Sequence, residues 1–149
     1  MTGVGASVTV TGLADVSAAL RRIERRTSDL TDVMDEIGGA LVANAHMRFE
    51  DERGPDGVPW AAPAPATARA KAKAGKERIL TFDGYLRASL THTPAPRQVE
   101  VGEGLVYAAT HQFGRGAIPP RPSLPIPALG ADDEDAVREI VRAALTRVL

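Results

Sequence analysis

The stretch that decides the fold of this 149-residue chain is Tyr107-Ala-Ala-Thr-His-Gln-Phe-Gly-Arg-Gly-Ala-Ile-Pro-Pro-Arg-Pro122. Each of its three prolines fixes φ, removes a backbone donor and keeps the preceding residue out of the helical region. Its two glycines permit backbone angles that are closed to other residues. The stretch therefore predicts a strand end, a turn and then a stiff extended arm over residues 115–127. Stiff arms that carry arginines without a catalytic partner usually contact another protein, so assembly is the first hypothesis.

The residues before this arm predict a β-hairpin. Residues 98–101 alternate between polar and apolar side chains, as in a half-buried strand. Residues 102–104, Gly-Glu-Gly, predict a tight turn, and residues 105–110 predict the return strand. Tyr107 and Phe113 would then flank the hairpin.

Three helices are predicted around these strands. Residues 30–49 carry apolar side chains at helical spacing and give the strongest helix prediction, with Ser28 or Asp29 as its cap. An earlier helix is predicted over residues 13–26. A last helix is predicted from Asp132 onward, because its first residues are acidic and favour the positive end of the helix dipole.

Shorter elements fill the rest of the chain. Residues 8–11 alternate like a short strand, and residues 67–76 form a weak Ala/Lys/Arg helix pattern that stops at Gly75. Asp83-Gly84 is a turn signal, and residues 86–93 fit either a helical turn or a strand. The element order predicts an α+β fold: a small antiparallel sheet packed by a long central helix and by N- and C-terminal helices, with a proline-rich extended arm.

Composition narrows the class of protein. The length fits a single domain over residues 1–149, and 44% hydrophobic with 25% charged residues is typical of a soluble globular protein. A net charge of −1 gives no overall attraction to nucleic acid or acidic lipid. The absence of cysteine excludes disulfides, thiolate nucleophiles and Cys-ligated zinc. No apolar run is long enough for a membrane span, and the first residues lack a secretory signal pattern.

Candidate catalytic and metal-binding residues are few. His46 and Glu50 lie one helical turn apart, but such pairs are common by chance, so a solvated pair is the preferred interpretation. His111, Ser89 and Asp83 are residue types of a hydrolytic triad, yet nothing in their spacing brings them together. We expect the His111 side chain to hydrogen-bond to the backbone near the arm. The sequence therefore predicts no enzyme, no catalytic residue, no cofactor and no metal site.

One segment has a local excess of positive charge. Its residues are Arg69, Lys71, Lys73, Lys76 and Arg78, with Glu77 as the one opposing charge. A basic helix can bind DNA phosphates or line a channel through which DNA passes. An exposed helix that keeps the protein in solution is the preferred alternative. The candidate DNA-channel residues are Arg69, Lys71, Lys73 and Lys76.

Several short motifs follow one another in a recognisable order over roughly residues 45–125. They are Pro-Asp-Gly-Val-Pro-Trp60, the Lys-rich helix, Ile79-Leu80, Gly84-Tyr85-Leu86-Arg87-Ala88-Ser89, Val101-Gly102, Tyr107-Ala108, His111-Gln112-Phe113-Gly114 and Ile118-Pro119-Pro120-Arg121-Pro122. This order resembles the phage virion morphogenesis family, the tail-completion proteins of contractile-tailed and Mu-like phages. The chain departs from the family in two places: Ser123-Leu124 stands where an aromatic residue is usual, and residues 61–68 are unusually rich in Ala and Pro.

The resemblance implies a structural role without catalysis. The family finishes the tail tube and prepares its end for joining to the filled head. The resemblance also implies that copies of the protein form a homo-oligomeric ring, most often a hexamer, around the DNA path. This ring would lie at the tail–neck junction of the virion, after assembly in the host cytoplasm. The implied partners are the tail tube protein and head–tail connector or neck proteins, with non-specific contact to packaged DNA and none to membrane. The alternative is a small DNA-binding module that uses residues 69–78.

The resemblance also suggests residue roles. Trp60 packs either against Phe49 in the core or at a subunit interface, and Gly84 opens the turn before Leu86. Arg115 or Arg121 would pair with carboxylates of a neighbouring subunit if the arm crosses to it. Alternatively, the arm folds back toward the C-terminal helix of its own subunit. The candidate interface or motif residues are Trp60, Gly84, Leu86, Tyr107, His111, Phe113, Arg115, Arg121 and Pro122.

Overall fold

The computed structural model describes residues 3–8, residues 17, 18, 20, 21 and 25, and residues 29–148. Within them, three strands and five helices follow one another along the chain. They are β1 (Val4–Val8), α1 (Thr31–Asp51), α2 (Pro65–Lys73), α3 (Tyr85–Ala88), β2 (Leu90–Ala95), β3 (Gln98–Glu103), α4 (Ala108–Phe113) and α5 (Ala131–Val148). The predicted α+β class is confirmed.

The sheet is antiparallel, with β3 in the centre and the strand order β1-β3-β2. Glu103, the last residue of β3, lies opposite Val4 on one side and Leu90 on the other. Val99 and Val101 are fully buried, because alternate residues of a strand point to the same face and this face meets the helices. The predicted strand at 98–101 is therefore correct, and it continues to residue 103.

Helix α1 is the central element of the core. Its buried apolar residues recur every three or four positions, so they form one stripe on the helix. The stripe packs on β2 and β3, and α5 packs on the same helix. A Cβ atom at Gly38 would lie 2.4 Å from the His92 ring and 2.7 Å from Val99, so glycine permits this close approach of helix to sheet. The predicted central and C-terminal helices are confirmed.

The predicted hairpin over residues 98–110 is wrong. Gly102 and Glu103 belong to β3, and residues 105–107 form a turn that leads into α4. Both edges of β3 are already paired, with β1 and β2, so no edge remains for a return strand. Tyr107 and Phe113 consequently flank helix α4, where Tyr107 precedes the first helical residue and Phe113 is the last.

The shorter predicted elements in the described residues lie close to their predicted positions. Segment 86–93 contains both of the alternatives, a helical turn (α3) and then a strand (β2). The weak helix is α2, and Gly75 follows it with φ of +67°. The N-terminal strand lies at Val4–Val8, and the rest of the predicted strand at 8–11 lies outside the described residues. The predicted helix over 13–26 likewise lies outside them, apart from isolated positions.

Candidate functional site: the proline arm and the aromatic cleft

The proline arm, residues 115–127, begins with an exposed turn. Arg115 and Ile118 exchange two backbone hydrogen bonds of 3.0 Å, and Gly116 between them has φ of +57°. The Arg115 side chain is exposed, and Ile118 is 43% exposed. This turn makes Arg115 available to a neighbour, and its pairing with a neighbour's carboxylate stays a prediction.

The arm then lies against its own chain, beginning at Arg121. The Arg121 backbone N–H donates to the His111 carbonyl at 2.6 Å. The guanidinium Nε donates to the Ala61 carbonyl at 2.7 Å, and Nη2 donates to the Ala62 carbonyl at 2.9 Å. Arg121 is buried by these contacts. Its Nε and Nη2 are therefore engaged within its own chain, and the pairing of Arg121 with a carboxylate of a neighbouring subunit stays a prediction.

Trp60 holds the next residue of the arm. Its indole Nε1 donates to the Pro122 carbonyl at 2.9 Å, and its ring packs edge-on against Phe49 at a centroid distance of 5.3 Å. Trp60 is buried in the main hydrophobic core. Of the two alternatives for Trp60, the structure places it in the core with Phe49. The turn before it is stabilised by Asp56, whose Oδ1 accepts from the Val58 N–H at 3.0 Å.

Gln112 binds the arm at the following two residues. Its Nε2 donates to the Leu124 carbonyl at 2.9 Å, and its Oε1 accepts from the backbone N–H groups of Ser123 and Leu124 at 3.1 Å each. One amide side chain thus satisfies three buried backbone groups, as a strand partner would. Gln112 was part of the motif but was not predicted as a site residue. An uncharged amide between His111 and Phe113 was the available signal.

Motif pieces that are far apart in sequence therefore meet at one place. The Trp60 loop, helix α4 and residues 121–124 are held together by bonds from side chains to backbone. The segment after Pro122 also fills the core, since Leu124 is fully buried. The motif residues thus hold the arm against the rest of the domain, and we call this set of hydrogen bonds the lock on the arm. These bonds form no catalytic constellation.

Beside this lock lies a cleft of about 340 Å³, which we call the aromatic cleft. Helices α2, α3 and α4 and the loop 79–84 surround it. Three aromatic side chains at its rim, Phe82, Tyr85 and Tyr107, are 50%, 69% and 46% exposed. The lining includes six residues that were predicted as site residues: Lys71, Gly84, Leu86, Tyr107, His111 and Arg121. Gly84 has φ of +79° and stands directly before α3, at the predicted turn, and Leu86 lies in the core.

The polar groups of the aromatic cleft are largely buried. Lys71 is 8% exposed, its Nζ donates to the Thr81 carbonyl at 3.1 Å, and burial lowers its pKa. Burial also lowers the pKa of His111, helped by the positive charge of Arg121. Nδ1 of His111 is buried without a hydrogen-bond partner among the described residues. The expected bond from the His111 side chain to the backbone is thus not found at Nδ1; the His111 carbonyl contacts the arm instead.

The four candidate DNA-channel residues do not share one exposed surface. Arg69 and Lys73 are exposed, but Lys71 faces the aromatic cleft. Lys76 pairs with Asp83 at 2.5 Å and lies 4.3 Å from the centre of the Phe82 ring. The alternation of Ala with basic residues in this segment does not indicate which lysines make contacts within the domain.

The other candidates for chemistry make structural contacts within the domain. Glu50 pairs with Arg78 at 2.6 Å and with Arg87, and no ion pair with His46 is formed. The Ser89 hydroxyl donates to the Leu86 carbonyl at 2.7 Å. Within the described part of the chain, no group of three or more His, Asp or Glu residues is arranged to hold a metal ion.

Sequence reasoning missed the buried Arg48 and Glu103, whose ionisable side chains lie outside the cleft. Arg48 of α1 contacts Asp133 at 2.6 Å and Asp132 at 3.1 Å at the start of α5, and it donates to the Ser123 carbonyl at 2.9 Å. Glu103 at the end of β3 accepts from the Ser123 hydroxyl at 2.5 Å, and burial raises its pKa to about 7. Both groups therefore meet the arm at Ser123.

A second cleft, of about 650 Å³, lies between the end of α1, the loop 53–57 and residues 126–132. Met47 lines it and is 54% exposed. Among the described residues, the two clefts have no lining residue in common. The domain therefore presents two different surfaces with exposed apolar side chains.

Comparison with protein families gives the class of this small α+β domain. The model of the phage virion morphogenesis family matches residues 12–146, so the chain belongs to that family. Its role is structural or in assembly, in the making of a phage particle.

One relative is a protein of Escherichia phage Mu named "Putative capsid assembly protein G". It is 28% identical in an alignment that covers 88% of this chain and 96% of the relative. No solved structure matches the chain. No helix in the described residues is long and apolar enough to cross a membrane.

Proposed function

We propose that this protein completes the phage tail and supports head–tail joining as a homo-oligomeric ring, with six copies around the DNA path at the neck of the virion. Family membership supports a structural or assembly role, and the proposal adds the place and the form of assembly. The tail tube protein and the head–tail connector or neck proteins are the proposed partners, with non-specific contact to packaged DNA.

The observation that carries the ring is the presence of two different apolar surfaces on one domain. Phe82, Tyr85 and Tyr107 are exposed at the aromatic cleft, and Met47 is exposed at the second cleft. Large apolar side chains that are grouped at the surface of a small domain usually mark contacts with other proteins. A contact between two different surfaces is heterologous, and it closes into a ring when the rotation between copies allows it.

The test uses two variants that each remove one surface. Tyr85→Ser removes an apolar side chain from the aromatic cleft, and Met47→Ser removes one from the second cleft. We expect light scattering on the wild-type protein to show an oligomer and each variant to show a monomer with an unchanged melting temperature. A mixture of the two variants retains one intact interface per pair, so it should form dimers and no larger species. Arg69→Ser is the matched control, because this exposed residue lines neither cleft.

The tail tube can act as a template for the ring, so the measurement is repeated with purified tubes. Cryo-electron microscopy of virions would then place the protein at the neck. A chain that stays monomeric with tubes present and is missing from purified particles would contradict the proposal. The alternative of a DNA-binding module finds less support, because three of the five basic residues of segment 69–78, Lys71, Lys76 and Arg78, are occupied within the domain. A salt-dependent gel shift that Arg69→Ala and Lys73→Ala abolish would favour that alternative.

A further inference from the structure

The floor of the aromatic cleft carries positive charge that the described residues leave without an acid partner. Lys71 bonds to one neutral carbonyl through Nζ, and Arg121 bonds to two through Nε and Nη2. Neither has a carboxylate within ion-pair distance among the described residues, although Glu52 acts on Lys71 through space. The acid that lines the cleft, Asp83, is already paired with Lys76 at 2.5 Å. The cleft therefore has the charge to accept an anion.

A second observation places a hydrogen-bonding group in the same cleft. Nδ1 of His111 is buried and has no hydrogen-bond partner among the described residues. Buried polar atoms in folded proteins almost always have a partner, and those that lack one require an explanation. His111 lines the aromatic cleft, and its ring packs edge-on to Tyr107 at a centroid distance of 6.0 Å.

The walls of the cleft are apolar, and the aromatic side chains at its rim are so exposed to solvent that we expect another molecule to cover them. Phe82, Tyr85 and Tyr107 form the rim, and Tyr85 alone is 69% exposed. Burial of an exposed aromatic ring under another apolar group contributes strongly to the free energy of binding. A volume of about 340 Å³ is large enough for one or two side chains of a partner.

We propose that the aromatic cleft docks a peptide segment of a partner protein in which a large apolar side chain stands next to a carboxylate. The apolar side chain covers the aromatic rim, and the carboxylate meets Lys71 and Arg121 at the floor. This inference deepens the proposed function and rests on it for the partner, which is the next copy of this chain in the ring: its second cleft presents the apolar Met47 and the acidic Asp51. The binding of a short peptide to the aromatic cleft can be measured without ring formation.

The geometry favours a peptide over nucleic acid. Phosphate backbones are bound by rows of accessible cations that remain near water. Here Lys71 and Arg121 are 8% and 7% exposed, so they are recessed below aromatic side chains. A recessed cation in an apolar pocket suits a single carboxylate attached to an apolar group, since a charge-assisted hydrogen bond is strongest where water is excluded.

The probe is the peptide acetyl-Phe-Asp-amide, titrated into the full-length Met47→Ser variant and followed by NMR. Acetyl-Phe-Asn-amide is the matched uncharged probe. We expect saturable shifts at Tyr85, Tyr107 and His111, and about tenfold weaker binding of the Asn peptide, which corresponds to the loss of one charge-assisted hydrogen bond. The pKa of His111 should rise when the Asp peptide binds, because the carboxylate stabilises the imidazolium.

Variants locate the interaction. Lys71→Met should remove the preference for the Asp peptide, whereas Lys73→Met, an exposed lysine on the same helix, should retain it. Tyr85→Ser removes an exposed side chain without affecting the core, and it should weaken binding of both peptides. This second variant tests the cleft even if Lys71→Met fails to fold.

Four outcomes would overturn the inference. They are no saturable binding of the Asp peptide, equal affinity for the two peptides, a preference that survives in folded Lys71→Met, and displacement of the Asp peptide by a short thymidine oligonucleotide. The Met47→Ser background separates this test from the ring. Loss of peptide binding there counts against the docking site, while failure of the wild-type protein to form oligomers counts against the proposed ring.

Discussion

Glu103 is expected to make the stability of this protein fall as the pH rises from about 4.5 to about 7. The carboxyl group is 3% exposed at the end of the central strand β3, and it accepts a hydrogen bond from the Ser123 hydroxyl. Burial raises its pKa from 4.5 to about 7, against the opposing effect of that bond. Glu103→Gln keeps the shape and the accepting oxygen, and it removes the titration.

The sign and size of the effect follow from linkage. Because the folded state holds the proton of Glu103 more tightly than the unfolded state, the stabilising contribution is full below pH 4.5 and is lost as the pH rises through 7. A shift of about 2.5 pKa units corresponds to about 3 kcal/mol, since one unit is worth about 1.4 kcal/mol. We therefore expect Glu103→Gln to exceed the wild type by about 3 kcal/mol at pH 8 and to gain little at pH 4.5.

The pH dependence of stability in the wild-type protein alone would not isolate the contribution of Glu103. The pKa of His111 is lowered by burial, so its contribution to stability decreases as the pH falls through 6.5. This change opposes that of Glu103 in the same pH range. The difference between Glu103→Gln and the wild type at each pH removes the His111 contribution, because both proteins contain it.

Urea denaturation at several pH values between 4.5 and 8 measures the difference. Glu100→Gln is the matched control, because Glu100 is an exposed residue of the same strand. We expect this control to stay within about 0.5 kcal/mol of the wild type, as surface substitutions usually do. If the free energies of unfolding of Glu103→Gln and the wild type differ by the same amount at every pH in this range, the carboxyl group is not buried in its neutral form and the reasoning is refuted.

Three further substitutions test the lock on the arm and the junction between α1 and α5. Gln112→Ala leaves three buried backbone groups without a partner, and urea denaturation should show a loss of about 3 kcal/mol or more. Asp133→Ala leaves the buried guanidinium of Arg48 poorly compensated, and urea denaturation should show a loss of about 3–5 kcal/mol. Trp60→Phe keeps the aromatic packing but removes the donor to the Pro122 carbonyl, and calorimetry should show a loss of about 1–3 kcal/mol.

Exposed neighbours serve as controls for these three substitutions. Arg115→Ala lies on the exposed turn of the arm, Asp135→Ala on α5 and Val58→Ala on the loop before Trp60. Each should change stability by less than about 0.5 kcal/mol. Equal losses in a control and its test variant would show that the hydrogen bonds named above do not stabilise the arm.

Local patterns were sufficient for the elements whose side chains repeat along one face. The apolar residues of α1 and α5 recur at helical spacing, and a buried face on each helix follows from that spacing alone. Gly75 and Gly84 were also predictable, because each stands at a turn with positive φ, which glycine adopts without strain. The motif order was specific enough to indicate the family that the comparison then found.

The wrong predictions share a cause. Residues 105–110 were predicted as a return strand after the Gly-Glu-Gly turn, but strand pairing depends on a free edge, and β1 occupies that edge from about a hundred residues away along the chain. Lys71 looked like one of several surface lysines, although the loop 79–84 folds over it. In both cases the deciding contact comes from a distant segment, which local periodicity does not record.

The sequence by itself determined the class of fold, the long helices, the glycine turns and the family. The tertiary structure decided that Trp60, Gln112 and Arg121 bind the arm within one domain, and that the cleft beside them combines an aromatic rim with recessed positive charge. The physical reason is that helical and strand periods arise from neighbours along the chain, whereas these hydrogen bonds join a side chain to backbone groups as many as 62 residues away.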